Sequence, residues 1–136
     1  MATKGKAGGA GRRGRGASLL DEVERNPVPT SVLMLAEWLE AVDAGLEDGD
    51  RSVLASLAGG RRISELAAQL RDAASTEAIR SAAELLAANE SGCACSGVEP
   101  PEPTPAQLDE SAERLARAAV APLVRNGSLR SRLAGL

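Results

Sequence analysis

The sequence has 136 residues, with no histidine, tyrosine or phenylalanine, one tryptophan and two cysteines. Histidine is the most common general acid or base near neutral pH and the most common metal ligand, so its absence argues against an enzyme. A zinc site needs four ligands, which two cysteines without histidine cannot supply. Aromatic rings for stacking single-stranded nucleic acid are reduced to Trp38. We therefore expect a non-enzymatic protein with no metal, no cofactor and no small-molecule substrate.

The net charge of −3 conceals an uneven distribution along the chain. Residues 1–17 carry five basic side chains and no acidic one, whereas residues 18–98 carry fourteen acidic and six basic side chains. Residues 99–113 carry five acids and no base, and residues 114–136 carry five bases and no acid. The pattern describes an acidic body with basic ends, which are expected to meet nucleic acid or the acidic body of a neighbouring subunit.

The chain shows no signal for a membrane or for secretion. No stretch approaches the roughly 18 consecutive apolar residues of a membrane helix, and no apolar region follows the basic N-terminal residues. Cys93 and Cys95 are too few for a disulfide framework, and we interpret them as part of a flexible loop rather than as a soft-metal or redox site. We expect a cytoplasmic protein.

Every periodic segment indicates a helix, and none alternates with the period of two that is typical of a strand. We predict an all-α fold, a small bundle of four to six helices with a disordered basic N-terminal tail. The tail is assigned to residues 1–17, the bundle to residues 18–90, a proline-rich linker to residues 91–103 and a C-terminal helical segment to residues 104–136.

The first predicted elements are a short helix over residues 18–25 and a first long helix. Pro27 and Pro29 separate them, because proline does not fit a helix interior. Either Thr30 or Ser31 is expected to cap the long helix. Its apolar residues follow the spacing of one buried face, namely Val32, Leu35, Ala36, Leu39, Val42 and Leu46.

Glycines divide the next part of the chain. Gly49 is expected to end the first long helix, and Asp50 to cap a short second helix. Gly59-Gly60 breaks the chain again before a third helix, and Ser75 or Thr76 opens a fourth. The residues expected to face inward are Ile63, Leu66, Ala67 and Leu70 in the third helix and Ile79, Ala82, Ala83 and Leu86 in the fourth.

The clearest local signal lies at residues 104–107, Thr-Pro-Ala-Gln. It combines a capping hydroxyl, proline at the first helical position and glutamine at the third. Pro122 is expected to kink or end this helix, and residues 127–128 begin a last amphipathic turn. The expected buried residues are Leu108, Ala112, Leu115, Ala119 and Leu123, then Leu129 and Leu133.

Residues 62–80 have a pattern typical of a helix-turn-helix. Glu65-Leu66-Ala67 is followed by a leucine three residues later, and the second helix would present Ser75, Thr76 and Arg80 to the major groove. Two adjacent helices of an ordinary bundle are built from the same pattern, and this alternative stays open.

Residues 9–14 have the spacing of a dinucleotide-binding fingerprint, but that motif needs a preceding strand. We interpret them as part of a cationic tail that binds phosphates by releasing counterions. The alternatives are a solubilising tail or a tail that docks onto an acidic protein surface. The residues predicted to contact double-stranded DNA are Lys4, Lys6, Arg12, Arg13, Arg15, Arg61, Arg62, Ser75, Thr76 and Arg80.

The first long helix also carries a cluster of carboxylates. We interpret it as a solvated face, or as a patch that receives a basic segment from another chain, rather than as an acid–base pair. Its members are Glu37, Glu40, Asp43, Glu47, Asp48 and Asp50.

Residues 1–90 resemble the small terminase subunits of tailed phages that infect high-GC actinobacteria. The resemblance lies in the order of a Gly/Arg/Lys-rich tail, Leu19-Leu20-Asp21-Glu22, the helix from Leu33 to Leu46 and the helical unit at residues 61–72. It implies recognition of packaging-site DNA, assembly into rings, regulation of a large motor subunit and a place in the host cytoplasm.

Two shorter resemblances concern the C-terminal part. Residues 59–136 are similar to helical segments near the C-terminus of type I restriction motor subunits, which implies docking to a larger protein through the C-terminal helix. Residues 126–130 resemble the Gly-Ser-Leu-Arg core of cargo-loading peptides of encapsulin nanocompartments. The residues predicted to contact a protein partner are Leu115, Leu123, Leu129, Arg130 and Leu133.

The leading hypothesis is a non-enzymatic helical protein that binds double-stranded DNA, in phage genome packaging in its most concrete form. The roughly 100 residues outside the tail and linker build a thin core of alanine, leucine and valine, which favours a homo-oligomer. The alternative is a helical adaptor that bridges protein partners without contacting DNA.

Overall fold

The computed structural model describes residues 15–91 and 102–136, except for the side chain of residue 91. These residues form helices and no strand, which confirms the all-α prediction for the described part. The described ranges hold seven helices rather than four to six, because short segments also complete two or more helical turns. The helices are α1 (15–25), α2 (Pro29–Gly45), α3 (Asp48–Leu57), α4 (Ile63–Ala73), α5 (Thr76–Ser91), α6 (Pro105–Val124) and α7 (Gly127–Ala134).

The predicted starts of α2 and α3 are wrong by a few residues. Helix α2 has Val28 at its N-cap and Pro29 at its first position, not a hydroxyl cap at residue 30 or 31. The Ser31 hydroxyl instead accepts a hydrogen bond from the Val28 N–H at 3.2 Å and donates to the Asn26 carbonyl at 2.8 Å. Helix α3 begins at Asp48, so that Asp50 lies in its first turn, where the helix dipole favours negative charge.

Two local predictions are confirmed, the break at Gly59-Gly60 and the helix cap at Thr104. Gly59 and Gly60 have φ values of 74° and 92°, which glycine adopts readily and which separate α3 from α4. The Thr104 hydroxyl accepts from the Gln107 N–H at 3.1 Å, and the Gln107 side chain accepts from the Thr104 N–H at 2.9 Å. Pro122 does not end α6, which continues to Val124.

A single hydrophobic core joins helices from both ends of the chain. Helix α2 makes its most extensive contacts with α4, and α6 lies against both. The C-terminal helices therefore complete the same core instead of forming a segment apart from it. The core residues with no exposed surface include Leu20, Val23, Val32, Leu35, Leu39, Leu70, Leu123, Leu129 and Leu133.

The predicted end of the tail at residue 17 is also wrong, because residues 15–17 are already helical. Gly16 is buried, and a Cβ built on it would lie 2.6 Å from the carbonyl oxygen of Leu133 and 2.8 Å from the ring of Trp38. Such a close approach of α1 to the end of α7 is open only to glycine. The start of α1 is thus packed against the end of α7.

Helix α5 stands apart from this core. It packs mainly on α6, and the residues it buries completely are Ala83 and Ala87, neither of which belongs to the main core. Leu85 is 68% exposed, and Ile79 and Leu86 are half-buried. The apolar face of α5 is therefore wider than its contact with α6.

Replacing Gly16 by alanine is expected to destabilise the fold by about 1–3 kcal/mol, because the added methyl group meets a backbone carbonyl and the half-buried ring of Trp38. Gly49 is the matched control, since it lies inside α3 with nothing within 4 Å of its built Cβ. Gly49 is the second residue of α3, so alanine there should stabilise by less than the roughly 0.5–1 kcal/mol of a helix interior. Urea unfolding of both variants checks this, and a neutral Gly16→Ala variant would contradict the close approach.

The ion pair between α2 and α4 has a measurable acid–base consequence. Arg71 donates to Glu40 from Nη2 at 2.6 Å and from Nε at 2.8 Å, and these hydrogen bonds lower the pKa of Glu40. A lowered folded-state pKa means that the pair adds stability above the unfolded-state pKa and loses it as the pH falls through the folded value. Both side chains are exposed, so the contribution to stability is small.

An NMR titration should therefore find the Glu40 carboxyl below its ordinary pKa, and Arg71→Gln should return it towards that value. Arg114→Gln is the control, because Arg114 pairs with Glu110 and not with Glu40. An unchanged pKa in Arg71→Gln would show that the pair does not form in solution.

Candidate nucleic-acid interface

The described arginines fall into two sets. The first set is paired with carboxylates and is largely neutralised within the body. It comprises Arg25, Arg51, Arg71, Arg80, Arg114, Arg117 and Arg130. The second set is at the surface, and its guanidinium groups have no carboxylate within 4.0 Å in the described part of the chain, although Arg61 donates a hydrogen bond to the Gln69 side chain at 3.0 Å. It comprises Arg15, Arg61, Arg62, Arg125 and Arg132.

The fold brings three arginines of the second set to one end of the bundle. The Asn126 side chain donates to the Leu57 carbonyl at 2.7 Å, which holds the connection between α6 and α7 against the end of α3. Arg125 precedes Asn126, and Arg61 and Arg62 follow Leu57 by a few residues; all three are exposed. We call Arg61, Arg62 and Arg125 the basic corner.

Two helix N-termini lie beside the basic corner, and the first N–H groups of both are capped by side chains. Arg62 is the N-cap of α4, and its N–H donates to the Glu65 carboxylate at 2.9 Å. Asn126 caps α7 by accepting from the Leu129 N–H at 3.1 Å. The Glu65 carboxylate therefore offsets the dipole of α4, and the positive charge of the corner comes from its arginine side chains. The corner is suited to phosphate oxygens, which arginine binds with paired N–H groups.

The two helices of the predicted helix-turn-helix exist and are joined by a short connection. Two of the three side chains predicted to contact DNA bases are, however, engaged within the protein. Residues 74–75 join α4 to α5, and the Ser75 hydroxyl caps α5 by accepting from the Ala78 N–H at 3.1 Å. Arg80 is paired with Glu84 at 3.3 Å and with Glu102 at 3.2 Å. Of the three predicted base contacts, only Thr76 is exposed without such an engagement.

The surroundings of α5 also oppose groove binding. Its exposed face carries the carboxylate of Glu77, which repels phosphates, beside the ion pair of Glu84 with Arg80. The helix packs mainly on α6 rather than on α4. This geometry favours the alternative interpretation, two neighbouring helices of a bundle.

The structure buries most of the apolar residues that the sequence assigned to a partner surface near the C-terminus. A buried side chain contributes to the core of its own chain and offers no surface to another protein. Arg130 is paired with Glu24 at 2.8 Å and Asp21 at 2.6 Å, and hydrogen bonds to these carboxylates raise its pKa. The fully buried residues are Leu123, Leu129 and Leu133, while Leu115 is half-buried.

Several predicted features lie outside the described residues, namely Lys4, Lys6, Arg12, Arg13, the glycine pattern at 9–14 and both cysteines. Within residues 15–91 and 102–136, no three carboxylates or thiols are grouped so that they could hold a metal ion. The helices of the same ranges include none with the length and apolar character needed to cross a bilayer. No known protein family, curated protein or solved structure is significantly similar to the chain.

Proposed function

We propose that the chain is a non-enzymatic helical protein that binds double-stranded DNA, chiefly through phosphate contacts. The observation that carries this proposal is the basic corner, where three exposed arginines lack carboxylate partners in a body that is otherwise acidic. The sequence adds Lys4, Lys6, Arg12 and Arg13 in a segment without acids. Cations on both a folded body and a tail allow several phosphates to be neutralised at once.

Two features of the structure favour duplex DNA and backbone contacts. Trp38 is half-buried beside Gly16, so it offers little surface for stacking an unpaired base. The carboxylates on α5 argue against insertion of that helix into a groove. Phosphate contacts position a protein on DNA without selecting a sequence, which is the binding mode that these residues support.

Genome packaging is the more specific form of this proposal. It draws on the resemblance of residues 1–90 to small terminase subunits, in which DNA contacts are joined to ring assembly. A protein with the basic corner on each subunit would present repeated cationic sites around such a ring. Phosphate binding at many sites is steeply dependent on salt.

The DNA contacts can be tested with two triple variants of equal charge. Changing Arg61, Arg62 and Arg125 to glutamine should weaken binding to labelled duplex DNA and lower the salt dependence of log K by up to about 2.7, since each phosphate contact contributes about 0.9. Arg25→Gln, Arg114→Gln and Arg117→Gln form the control, because these exposed arginines are paired with carboxylates on their own helices. Titrations at about 50 and about 200 mM salt measure both slopes.

Deleting residues 1–14 should remove most of the remaining affinity, since that segment holds four of the proposed cations. The deletion stops before residue 15, where α1 is already helical. No binding of the full chain at about 50 mM salt would contradict DNA binding itself. Equal losses in the two triple variants would contradict the basic corner as the contact surface.

Self-association is the second part of the proposal, and α5 supports it. The buried side chains of α5 are alanines, so packing within the chain stabilises this helix little, because the stabilisation scales with the apolar area buried. Contact with a second copy would bury further apolar area at Leu85 and at the shallow groove of about 150 Å³ beside it, between α5 and α6. The same surface supports the alternative function, an adaptor that bridges proteins without DNA.

Leu85→Gln is therefore expected to shift the chain towards the monomer in light scattering. Val53→Gln is the control, because Val53 is also an exposed apolar side chain but lies on α3. Since Leu85 is 68% exposed, its replacement should leave the stability of the single chain within about 0.5 kcal/mol. A full chain that is monomeric at all concentrations would contradict self-association.

A further inference from the structure

The described chain starts at Arg15, which lies between two surface grooves. A groove of about 690 Å³ runs along α1 and has Asp21 and Glu22 at its edge. A second groove of about 260 Å³ lies on α2 and is lined by Glu37, Trp38 and Ala41 in addition to Arg15 and Met34. Arg15 and Met34 line both grooves. We call the surface formed by the two grooves the α1–α2 surface.

The α1–α2 surface combines apolar groups with a free carboxylate. Met34 is 46% exposed, and Trp38 is half-buried beside it. Glu37 is exposed and has no cationic side chain within 4.0 Å in the described part of the chain, although Arg71 acts on it over a longer distance and Arg15 lines the same groove. Asp21 and Glu22, by contrast, are already paired with Arg130 and Arg25. Glu37 is thus the carboxylate that a further cation would meet first.

The chemistry of residues 1–14 is complementary to this surface. The segment has four cationic side chains, at Lys4, Lys6, Arg12 and Arg13, and no acid. Its other residues are mostly glycine and alanine, which let a backbone approach an aromatic ring closely. Arg12 and Arg13 are within three residues of Arg15, a distance of at most about 11 Å along an extended chain. They can therefore reach the groove on α2.

We propose that residues 1–14 bind in cis to the α1–α2 surface, with Arg12 or Arg13 pairing with Glu37 while the glycine-rich backbone covers Met34 and Trp38. A segment joined directly to its site has a high effective concentration there, which favours the segment of the same chain over that of a second copy. The contact consists of exposed ion pairs and a small apolar area, so it is weak and sensitive to salt.

This contact would regulate DNA binding if the proposed function holds, and that extension rests on the proposed function. The same cations cannot meet Glu37 and a DNA phosphate at once, so the α1–α2 surface competes with DNA for the segment. Glu37→Gln removes the competitor and should tighten duplex binding by roughly two- to fivefold. Glu77→Gln is the matched control, because Glu77 is an exposed carboxylate on α5.

Trp38 is the only tryptophan and reports on the contact without any DNA. Acrylamide should quench its fluorescence less in the full chain than in residues 15–136 at about 20 mM salt, and the difference should vanish near about 1 M salt. Arg12→Gln with Arg13→Gln in the full chain should match the truncated protein, which keeps the test valid if the truncation disturbs α1. Equal quenching in the full and truncated chains would overturn the proposal, as would protection that rises with protein concentration.

Duplex DNA separates this inference from the proposed function. If DNA competes for residues 1–14, its addition should raise the quenching of Trp38 to the level of the truncated protein. Protection of Trp38 in a chain that binds no DNA would support the contact while contradicting the proposed function. DNA binding by a chain whose Trp38 is equally quenched with and without residues 1–14 would support the function and overturn the contact.

Discussion

The burial of the C-terminal leucines against the N-terminal helices is the interaction on which the rest of the structure depends. Leu123, Leu129 and Leu133 have no exposed surface and share one core with Leu20 and Leu39. Alanine supplies much of the remaining interior, and each alanine buries little area, so the large side chains carry most of the packing energy. Truncation of a buried leucine typically removes about 2–5 kcal/mol, a large share of the stability of a small domain.

The position of the candidate site depends on this packing of the C-terminal helices against the N-terminal ones. Helices α6 and α7 both contribute to the core, and the Asn126 side chain holds the connection between them against the end of α3. Arg125 is thereby brought to the same end of the bundle as Arg61 and Arg62. The same packing buries the three leucines at 123, 129 and 133 that the sequence assigned to a partner surface, and it leaves Leu85 on α5 exposed.

Some ion pairs of this protein can be predicted from the spacing of residues in the sequence, and others cannot. Arg114 pairs with Glu110 and Arg117 with Glu113, four residues apart on one helix, and such pairs can be predicted from spacing alone. Arg125 has no acid three or four residues away, a signal that would have marked it as available. The pairing of Arg71 with Glu40 and of Arg130 with Asp21 joins distant segments, and no spacing rule could have predicted it.

The sequence by itself determined the helical class, the break at Gly59-Gly60 and the cap at Thr104, because periodicity, glycine and capping hydroxyls act within a few residues. It misplaced the start of α2 and of α3, where several nearby residues could serve as a cap. Only the tertiary structure decided which leucines are core rather than surface, and which arginines are paired. Both depend on contacts between segments up to about a hundred residues apart, as between Arg130 and Asp21. Periodicity shows that a helix has an apolar face, but not which other surface covers it.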